Sequence, residues 1–355
     1  RGGPRLLALV VPDPAATPAS RATTSPASST APPDLLRLRL PDGRVEERRR
    51  LVASFEDANA LAGRVGLARV ARWMGRAREL AFGPVAHHLV ADLAAGRFGL
   101  VTNDTRITLQ GPATALDRIE SRLWLDSFAD PGGEIGFAFV RIADDGSEHP
   151  VAVGRQRFTW VRITGHGAVA AEPMPPALRA FFEELRAGAD APRPALALPV
   201  DDRGPLPVAD VARPVAAERF ATTREQSNLV GNIYWANYFT WASAALDALV
   251  HAHAAAPGLG EATITALAIE HTREAMPHDR VRVTLVARAL HLRGATFDVH
   301  FFREAARGEP LARLAAGRME VLWSAQAPQG PAAAPWPAEL RRHLAAPPDL
   351  QDTAS

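Results

Sequence analysis

The chain has 355 residues, of which 47% are hydrophobic, so it is long enough for one large domain or two ordinary ones with sizeable cores. Lys and Arg (40) nearly balance Asp and Glu (39), which argues against a nucleic-acid or anionic-membrane partner attracted by net charge. There is no cysteine, which excludes disulfides, thiolate catalysis and Cys-ligated metals.

Three stretches of the chain are predicted to lack a core of their own. Residues 11–34 and 187–213 are rich in Pro and Ala and poor in large apolar side chains, so burial cannot offset their ordering entropy. We predict a flexible linker at 1–34, an inter-unit linker at 187–213 and a disordered tail at 346–355. The apolar run near residue 9 is short and followed by Pro, so we interpret it as the end of a linker in a cytoplasmic protein. No apolar run approaches about 18 residues, and no transmembrane helix is expected.

Residues 35–186 are predicted to form strands, one long helix and further strands. Alternating apolar residues indicate strands over 35–56, and helical spacing predicts a helix over 66–96. Several β-like runs follow over 98–163, and a short closing helix covers 174–186 with Pro at its start. Residues 214–345 show the same order, with their long helix at 233–250.

The second of these stretches repeats the first. Trp73 and Trp241 lie 168 residues apart, each ten residues after a Gly. The run Leu116-Asp-Arg-Ile returns as His278-Asp-Arg-Val, and the offsets stay between 162 and 169 along the whole length. We therefore predict two copies of one unit, unit 1 at 35–186 and unit 2 at 214–345. Because a lone sheet of this kind has an unpaired edge, the two units are expected to pair side by side.

The turn before the second long helix carries a concentration of polar groups, with Asn228, Gly231 and Asn232 followed by Tyr234. A helix N-terminus offers free N–H groups and a partial positive charge, which can hold a carbonyl oxygen that becomes negative. The Tyr234 hydroxyl can donate to the same oxygen, and core packing is an equal alternative for it. Helix capping by Asn228 and a turn role for Asn232 also stay open.

The run from Asn228 to Trp241, NLVGNIYWANYFTW, resembles the hot-dog thioesterases. It is similar to the 4-hydroxybenzoyl-CoA thioesterase group in general, and more closely to the thioesterases of enediyne polyketide pathways. Unit 2 matches the first two-thirds of the enediyne-type signature, and unit 1 matches its last third at Trp73-Met-Gly-Arg-Ala-Arg-Glu79. The resemblance implies an α+β double hot-dog fold, in which each of two long helices is wrapped by an antiparallel sheet.

The resemblance also implies candidate roles for residues. In the wider family the position three residues before the Gly is usually acidic, whereas the enediyne-type enzymes have Asn there, as this chain has Asn228. In those enzymes the Asn and an Arg are thought to hold the thioester carbonyl while water attacks. The Arg position is Leu246 in unit 2 and Arg78 in unit 1, where Asn59 is one residue out of register and Gly66 replaces the Tyr. Neither unit alone has the complete set.

Three interpretations of this incomplete set stay open. In the first, one site is active and the role of its missing Arg is filled from elsewhere, by Arg273 or His271. In the second, the chemistry does not need that Arg. In the third, the domain is catalytically inactive. For His271, a general base that faces the turn of unit 1 is one candidate role, and a place on an exposed strand face is the favoured alternative. Candidates for contacts with the substrate are Gly231, Arg273, Asn59 and Glu270.

The sequence thus predicts hydrolytic release of a polyketide chain from an acyl carrier protein. The phosphopantetheine arm counts as part of the substrate, and no other cofactor is expected. No metal is expected, because the pairs His87/His88 and His251/His253 have no carboxylate at ligand spacing. The expected partners are the carrier and neighbouring polyketide synthase domains, with no nucleic acid and no membrane, and a homodimer of the pseudo-dimeric chain stays open.

Two rival functions remain on the same fold. The first is a dehydratase, a product-template cyclase or an acyltransferase/decarboxylase of a polyketide synthase. The second is a non-catalytic dimerisation or carrier-docking module.

Overall fold

Two long helices lie on one antiparallel sheet. The computed structural model describes residues 35–41, 43–58, 63–86, 97–165, 168–186, 214–228, 231–253, 260–304, 312–325 and 332–345. All of these belong to one compact unit, Asp34–Ser355. The linkers predicted at 1–34 and 187–213 and the tail predicted at 346–355 lie outside the described residues.

Apart from β1, which has no counterpart in the second half, the two halves contain the same elements in the same order. The first half comprises β1 (Leu35–Arg39), β2 (Val45–Val52), α1 (Leu67–Ala86), β3 (Phe98–Leu109), β4 (Arg118–Ala129), β5 (Gly132–Ile142), β6 (Glu148–Gly165), β7 (Ala168–Ala171) and α2 (Pro176–Arg186). The second half comprises β8 (Ala216–Ala221), α3 (Ala236–His253), β9 (Gly260–His271), β10 (Arg280–Leu290), β11 (Gly294–Arg303), β12 (Ala312–Ala325), β13 (Ala332–Ala333) and α4 (Ala338–Ala345).

Helix α3 begins three residues later than the sequence predicted. The N–H of Ile233 donates to the carbonyl of Ala275 at 2.8 Å, and the N–H of Tyr234 donates to Gln226 at 2.8 Å. These residues are therefore held in the turn and are not part of the helix. Helix α1 is described as far as Ala86, and the rest of its predicted range, 87–96, lies outside the described residues.

One continuous sheet joins the halves, with the strand order β1-β2-β4-β5-β6-β3-β9-β12-β11-β10-β8. Read from each outer side toward the middle, β2-β4-β5-β6-β3 has the same arrangement as β8-β10-β11-β12-β9. The central pair β3–β9 is antiparallel over residues 104–108 of β3. This pairing satisfies the inner edge of each half, and the result is the double hot-dog fold.

The turns before β4 and β10 are alike in detail. Leu116 and His278 have positive φ angles of 73° and 74°. The carboxylates of Asp117 and Asp279 each accept the backbone N–H three residues earlier, at 2.7 and 2.8 Å. Two equal left-handed residues in equal turns confirm that the sequence repeat is a structural repeat.

The cores lie between the helices and the sheet. Helix α3 buries the predicted stripe of Tyr238, Trp241, Ala245 and Leu249, each less than 4% exposed. Helix α1 buries a matching stripe, and α1 and α3 also pack against each other. Each large apolar side chain removed from water contributes about 1.5–3 kcal/mol, so these stripes fix the helices on the sheet.

Candidate functional site

Gly231 closes the polar turn of the second half. It adopts φ +88°, a left-handed conformation that favours glycine. The N–H of Asn228 donates to the carbonyl of Asn232 at 2.8 Å, and the N–H of Gly231 donates to the carbonyl of Asn228 at 3.0 Å. The backbone of half-buried Asn228 therefore holds the turn shut, and a catalytic role for its side chain stays a prediction.

Few N–H groups at the start of α3 are available to a ligand. Asn237 and Tyr238 donate to the carbonyls of Tyr234 and Trp235 at 3.0 and 3.2 Å. Within the described part of the chain, the N–H groups of Trp235 and Ala236 donate to no backbone carbonyl. The turn and the first helical residues use the other N–H groups, and a role of the helix-start N–H groups in holding an oxyanion stays a prediction.

Tyr234 reaches from the second half to helix α1 of the first half. A Cβ atom at Gly75 would lie 1.8 Å from the Tyr234 hydroxyl oxygen, so the hydroxyl sits directly over this glycine. The hydroxyl donates to the carboxylate of Glu79, and burial, more than any other cause, raises the pKa of Tyr234. Tyr234 is therefore a protonated hydrogen-bond donor at neutral pH.

Arg78 lies at the same junction. Its side chain is buried, donates to Thr102 Oγ1 at 3.1 Å and Gln156 Oε1 at 2.6 Å, and places its Cζ 5.9 Å from the centre of the Trp235 ring. No carboxylate among the described residues forms an ion pair with it. A buried cation that has only neutral partners is costly, which indicates a role that uses its charge.

The two incomplete halves of the signature therefore meet in space. Arg78 comes from unit 1, and the turn with Tyr234 and Trp235 comes from unit 2. Arg78 of unit 1 thus lies beside the turn of unit 2, at the place where unit 2 lacks an Arg, and the predicted roles of Arg273 and His271 stay predictions. We call this place the first junction.

Glu274 is a site residue to which the sequence analysis gave no role. Its carboxylate accepts a hydrogen bond from the Asn232 side chain, while burial, the larger effect, raises its pKa to about 7. The Asn232 Oδ1 atom is buried and has no hydrogen-bond partner among the described residues. A carboxyl group with a pKa near neutrality can both accept and return a proton, which is the property of a general base.

Glu274 and Asn232 line one small cavity of about 50 Å³. Its remaining lining residues are Gly99, Val101, Val161, Ile163, Gly165, Ala168, Val169 and Met276. Strand β9 pairs with β3 only over residues 104–108, so the first residues of β3 border this cavity where β9 no longer pairs with them.

The cavity and the Arg78 cluster are neighbours along the chain on both sides. Asn232 and Tyr234 are separated by one residue, and Val101 is followed directly by Thr102, the partner of Arg78. These residues are neighbours along the backbone, and Val101 and Thr102, as successive residues of a strand, point to opposite faces of the sheet.

His271 does not face the turn of unit 1. Its ring packs perpendicular to the Tyr238 ring at a centroid distance of 4.7 Å, within its own half. Burial lowers its pKa to about 4, and its Nε2 has no hydrogen-bond partner among the described residues. The expectation was wrong because residues 262–264, at the other end of β9, border the unit 1 turn. At about 3.3 Å per residue, His271 is too far along the strand.

The remaining candidates are placed as follows. Glu270 is exposed, and its backbone lies opposite that of Asp104 in the register of the β3–β9 pair. Arg273 is exposed in the loop after β9. Asn59 lies outside the described residues. Their proposed contacts with a substrate stay predictions.

The repeat predicts a second junction, where the turn of unit 1 meets helix α3 of unit 2. This second junction does not have the groups found at the first. There Gly66, Leu246 and Pro112 stand where the first junction has its Tyr, Arg and Glu. The repeat offsets align Glu274 in the loop after β9 with a proline of unit 1. An acidic residue that is present in only one of two copies is the sequence signal that could have identified Glu274.

Two general properties concern the described part of the chain. No group of three or more His, Asp or Glu side chains within it is placed to hold a metal ion. Its helices include none that is long and apolar enough to cross a membrane.

Residues 54–182 match the sequence profile of the Thioesterase-like superfamily. No curated protein matches the sequence. The chain is similar in structure to the 12:0-ACP thioesterase from Umbellularia californica, at 12% identity and a TM-score of 0.57 over 78% of this chain and 94% of that one. It is also similar to an acyl-ACP thioesterase from Bacteroides thetaiotaomicron VPI-5482, at 12% identity and a TM-score of 0.52 over 78% and 97%. The dynemicin thioesterase matches at 28% identity over 36% of this chain and 93% of its own, with a TM-score of 0.34. The first two similarities show a shared fold.

Proposed function

We propose that this protein hydrolyses an acyl thioester at the first junction. The observation that carries this function is Glu274, a half-buried carboxyl group with a pKa of about 7 that Asn232 holds at the wall of a cavity. A buried guanidinium and a protonated phenol lie at the first junction, one from each half of the chain, and Asn232 precedes that phenol by two residues in the sequence. These are the groups that water-mediated hydrolysis of a thioester needs.

In the first step Glu274 removes a proton from a water molecule while the water oxygen bonds to the carbonyl carbon. The carbonyl oxygen becomes an oxyanion. The Arg78 guanidinium donates to it, and the Tyr234 hydroxyl turns its one proton from Glu79 to the oxyanion; in the low-dielectric junction such donors are worth far more than in water.

In the second step the tetrahedral intermediate collapses and the carbon–sulfur bond breaks. Protonated Glu274 returns its proton to the leaving sulfur, so the products are a free carboxylic acid and a thiol. Glu274 ends the cycle as a carboxylate, and no group of the protein is consumed.

Asn228 and Asn232 act around this centre in the same scheme. Asn228 closes the turn that positions Asn232, and the Asn232 amide holds the Glu274 carboxylate. The unpaired Oδ1 of Asn232 is an acceptor for the attacking water.

We further propose that the acyl group is a polyketide chain carried by an acyl carrier protein. The support is the sequence resemblance to the enediyne-type thioesterases, together with the shared fold of thioesterases whose substrates are acyl-ACPs. In this scheme the pantetheine arm enters beside the first residues of β3, where β9 no longer pairs with them.

The packing of the His271 ring disfavours the dehydratase alternative. A dehydratase of this fold would use a His and an Asp that face each other. The His271 ring faces Tyr238 instead, and its Nε2 has no partner among the described residues.

The test is a single-turnover assay on a carrier protein loaded with a β-ketoacyl pantetheine thioester, followed by intact mass. Wild type is expected to release the free acid, and Glu274→Gln to slow release by about 10²–10⁴-fold, the usual contribution of a general base. Glu320→Gln is the matched control, since burial also raises the pKa of Glu320 but this residue lies on β12.

Each outcome of this assay is decisive. An unchanged carrier mass with wild type would contradict hydrolysis and favour the docking module. Loss of one water mass with the chain still bound would favour the dehydratase. Equal rates for wild type and Glu274→Gln would remove Glu274 from the mechanism.

A further inference from the structure

The second junction contains a larger cavity than the first. Its volume is about 260 Å³, and it lies between the turn of unit 1, helix α3 and the start of β9. The side chains and backbone that define it are Glu56, Asp57, Ala58, Gly66, Leu67, Ala68, Arg69, Ser243, Leu246, Asp247, Ala262, Thr263 and Ile264. We call this cavity the second-junction pocket.

The pseudo-symmetry of the chain explains why this pocket is open. With the 168-residue offset of the helices, Gly66 takes the place of Tyr234 and Ser243 takes the place of Gly75. A Cβ atom at Gly66 would meet nothing within 4 Å. The volume that the phenol ring of Tyr234 fills at the first junction is therefore left free at the second.

The hydrogen-bond acceptor for that missing ring has been retained. Asp247 stands at the position of Glu79, the residue that accepts the hydrogen bond of the Tyr234 hydroxyl. No donor among the described residues bonds the Asp247 carboxylate. Desolvation at the pocket wall, and next the charge of Glu261, raises the pKa of Asp247.

The wall of the second-junction pocket is mainly acidic, whereas the first junction contains the buried cation Arg78. Leu246 stands where the first junction has its buried Arg, and the wall carries the carboxylates of Glu56, Asp57 and Asp247 against the single cation Arg69. The Asp57 carboxylate already accepts two hydrogen bonds, from the backbone N–H and the hydroxyl of Ser54, at 2.7 and 2.9 Å. The wall is therefore suited to donors and cations and repels anions.

We propose that the second-junction pocket binds a small aromatic molecule that carries a hydroxyl or amine donor. The ring occupies the volume above Gly66, with Leu246 and Ile264 as apolar walls, and the donor bonds to Asp247. The structure contains the template for this complex, since Tyr234 and Glu79 form the same pairing at the first junction. A ring that bears a carboxylate is excluded by the acidic wall.

The test uses p-cresol, benzylamine and benzoate as probes, with binding to the full chain measured by ligand-observed NMR and calorimetry. We expect p-cresol and benzylamine to bind at least about tenfold more tightly than benzoate, because only they offer Asp247 a donor. Asp247→Leu is expected to remove this preference, and Gly66→Tyr to abolish binding by filling the pocket from within.

A control variant separates a filled pocket from a damaged fold. Gly66→Ala adds one methyl group to open space and is expected to keep both folding and binding. Binding of p-cresol by Gly66→Tyr at wild-type strength, or equal binding of benzoate, would overturn the inference. Thioester hydrolysis at the first junction is expected to persist in Gly66→Tyr, so failure of this site and failure of the proposed hydrolase are distinguishable.

Discussion

At the scale of single residues, burial shifts the pKa values of two side chains, one at the end of β9 and one in the loop after it. It raises the pKa of Glu274 to about 7 and lowers the pKa of His271 to about 4. The directions are opposite because desolvation disfavours the charged form of each group, which is the anion of the acid and the cation of the base. Glu274 is therefore suited to proton transfer at neutral pH, and His271 is a neutral side chain of the core.

The first prediction concerns the pH dependence of hydrolysis. Protonated Glu274 cannot accept a proton, so kcat/KM for an acyl-pantetheine thioester should rise about tenfold per pH unit below its pKa and level off above it. The inflection is expected near pH 7. Glu274→Gln should remove this inflection along with most of the activity. An inflection near pH 4.5 in wild type, or one that persists in the variant, would show that another group is the base.

The second prediction concerns stability in acid. The folded pKa of His271, about 4, lies below its ordinary value of 6.5, so the unfolded chain binds more protons between these pH values. The contribution of His271 to the free energy of unfolding is therefore lost as pH falls through this window, by up to about 1.4 kcal/mol per unit.

His271→Phe keeps a ring against Tyr238 and should flatten this dependence, as measured by urea unfolding at pH 7 and pH 5. Glu274 acts in the opposite sense, because its raised pKa lowers stability as pH rises from 4.5 toward 7. The comparison is therefore made between variant and wild type at each pH. His291→Gln, at an exposed position, is the control. Equal acid sensitivity of wild type and His271→Phe would count against a neutral buried imidazole.

At the scale of elements, helix α1 serves two halves of the molecule at once. It packs one stripe on its own sheet and presents Gly75 and Arg78, one turn apart on one face, to the turn of the other half. The absence of a side chain at Gly75 is what admits the Tyr234 hydroxyl. The close approach of the Tyr234 ring to helix α1 thus depends on a single glycine.

The third prediction compares two glycines of this helix. Gly75→Ala would place a methyl group 1.8 Å from the present position of the Tyr234 hydroxyl oxygen, so the ring must move. We expect hydrolysis to fall by at least about tenfold, because a displaced donor loses its contact with the oxyanion. Gly83→Ala meets nothing within 4 Å and is the matched control. It should keep activity and gain up to about 1 kcal/mol of stability from helix propensity.

The double variant Gly75→Ala/Tyr234→Phe tests the route of this effect. If Gly75→Ala acts through the Tyr234 hydroxyl, the double variant should be no less active than Tyr234→Phe alone. Equal activities of Gly75→Ala and Gly83→Ala would show that the fit over Gly75 has no part in catalysis.

At the scale of the whole molecule, duplication has produced a symmetric sheet with asymmetric junctions. The strand order is the same from each side to the central β3–β9 pair. The two junctions differ in their residues, since the first has Arg78 beside the turn that carries Tyr234, with Glu274 in the loop after β9. The second has Pro112, Gly66 and Leu246 at the corresponding positions. If the proposed hydrolase is correct, this difference predicts one centre per chain.

The fourth prediction is the stoichiometry of binding. A non-hydrolysable analogue, an aliphatic acyl pantetheine with an amide in place of the thioester, should bind to one site per chain in a calorimetric titration. Arg78→Met should weaken this binding, whereas Leu246→Met at the corresponding position of α3 should leave it unchanged. Two equivalent sites per chain, or equal effects of the two variants, would show that the second junction also binds the acyl thioester.

The sequence by itself determined the repeat, the two long helices and the hot-dog fold. These depend on local periodicity and on fixed offsets, such as Trp73 to Trp241 and Leu116 to His278, which are readable without knowing any contact. The element boundaries were less accurate, and α3 begins at Ala236 because the turn uses the N–H groups of Ile233 and Tyr234.

Only the tertiary structure decided how the junctions are composed. The β3–β9 pairing places the turn of one half against the helix of the other, so Arg78 completes the set that Tyr234 begins, 156 residues further along the chain. Burial, which no single stretch of sequence encodes, made Glu274 the candidate base and placed His271 in the core. Residue types and spacing are local properties, whereas proximity between halves and desolvation arise only when the chain has folded.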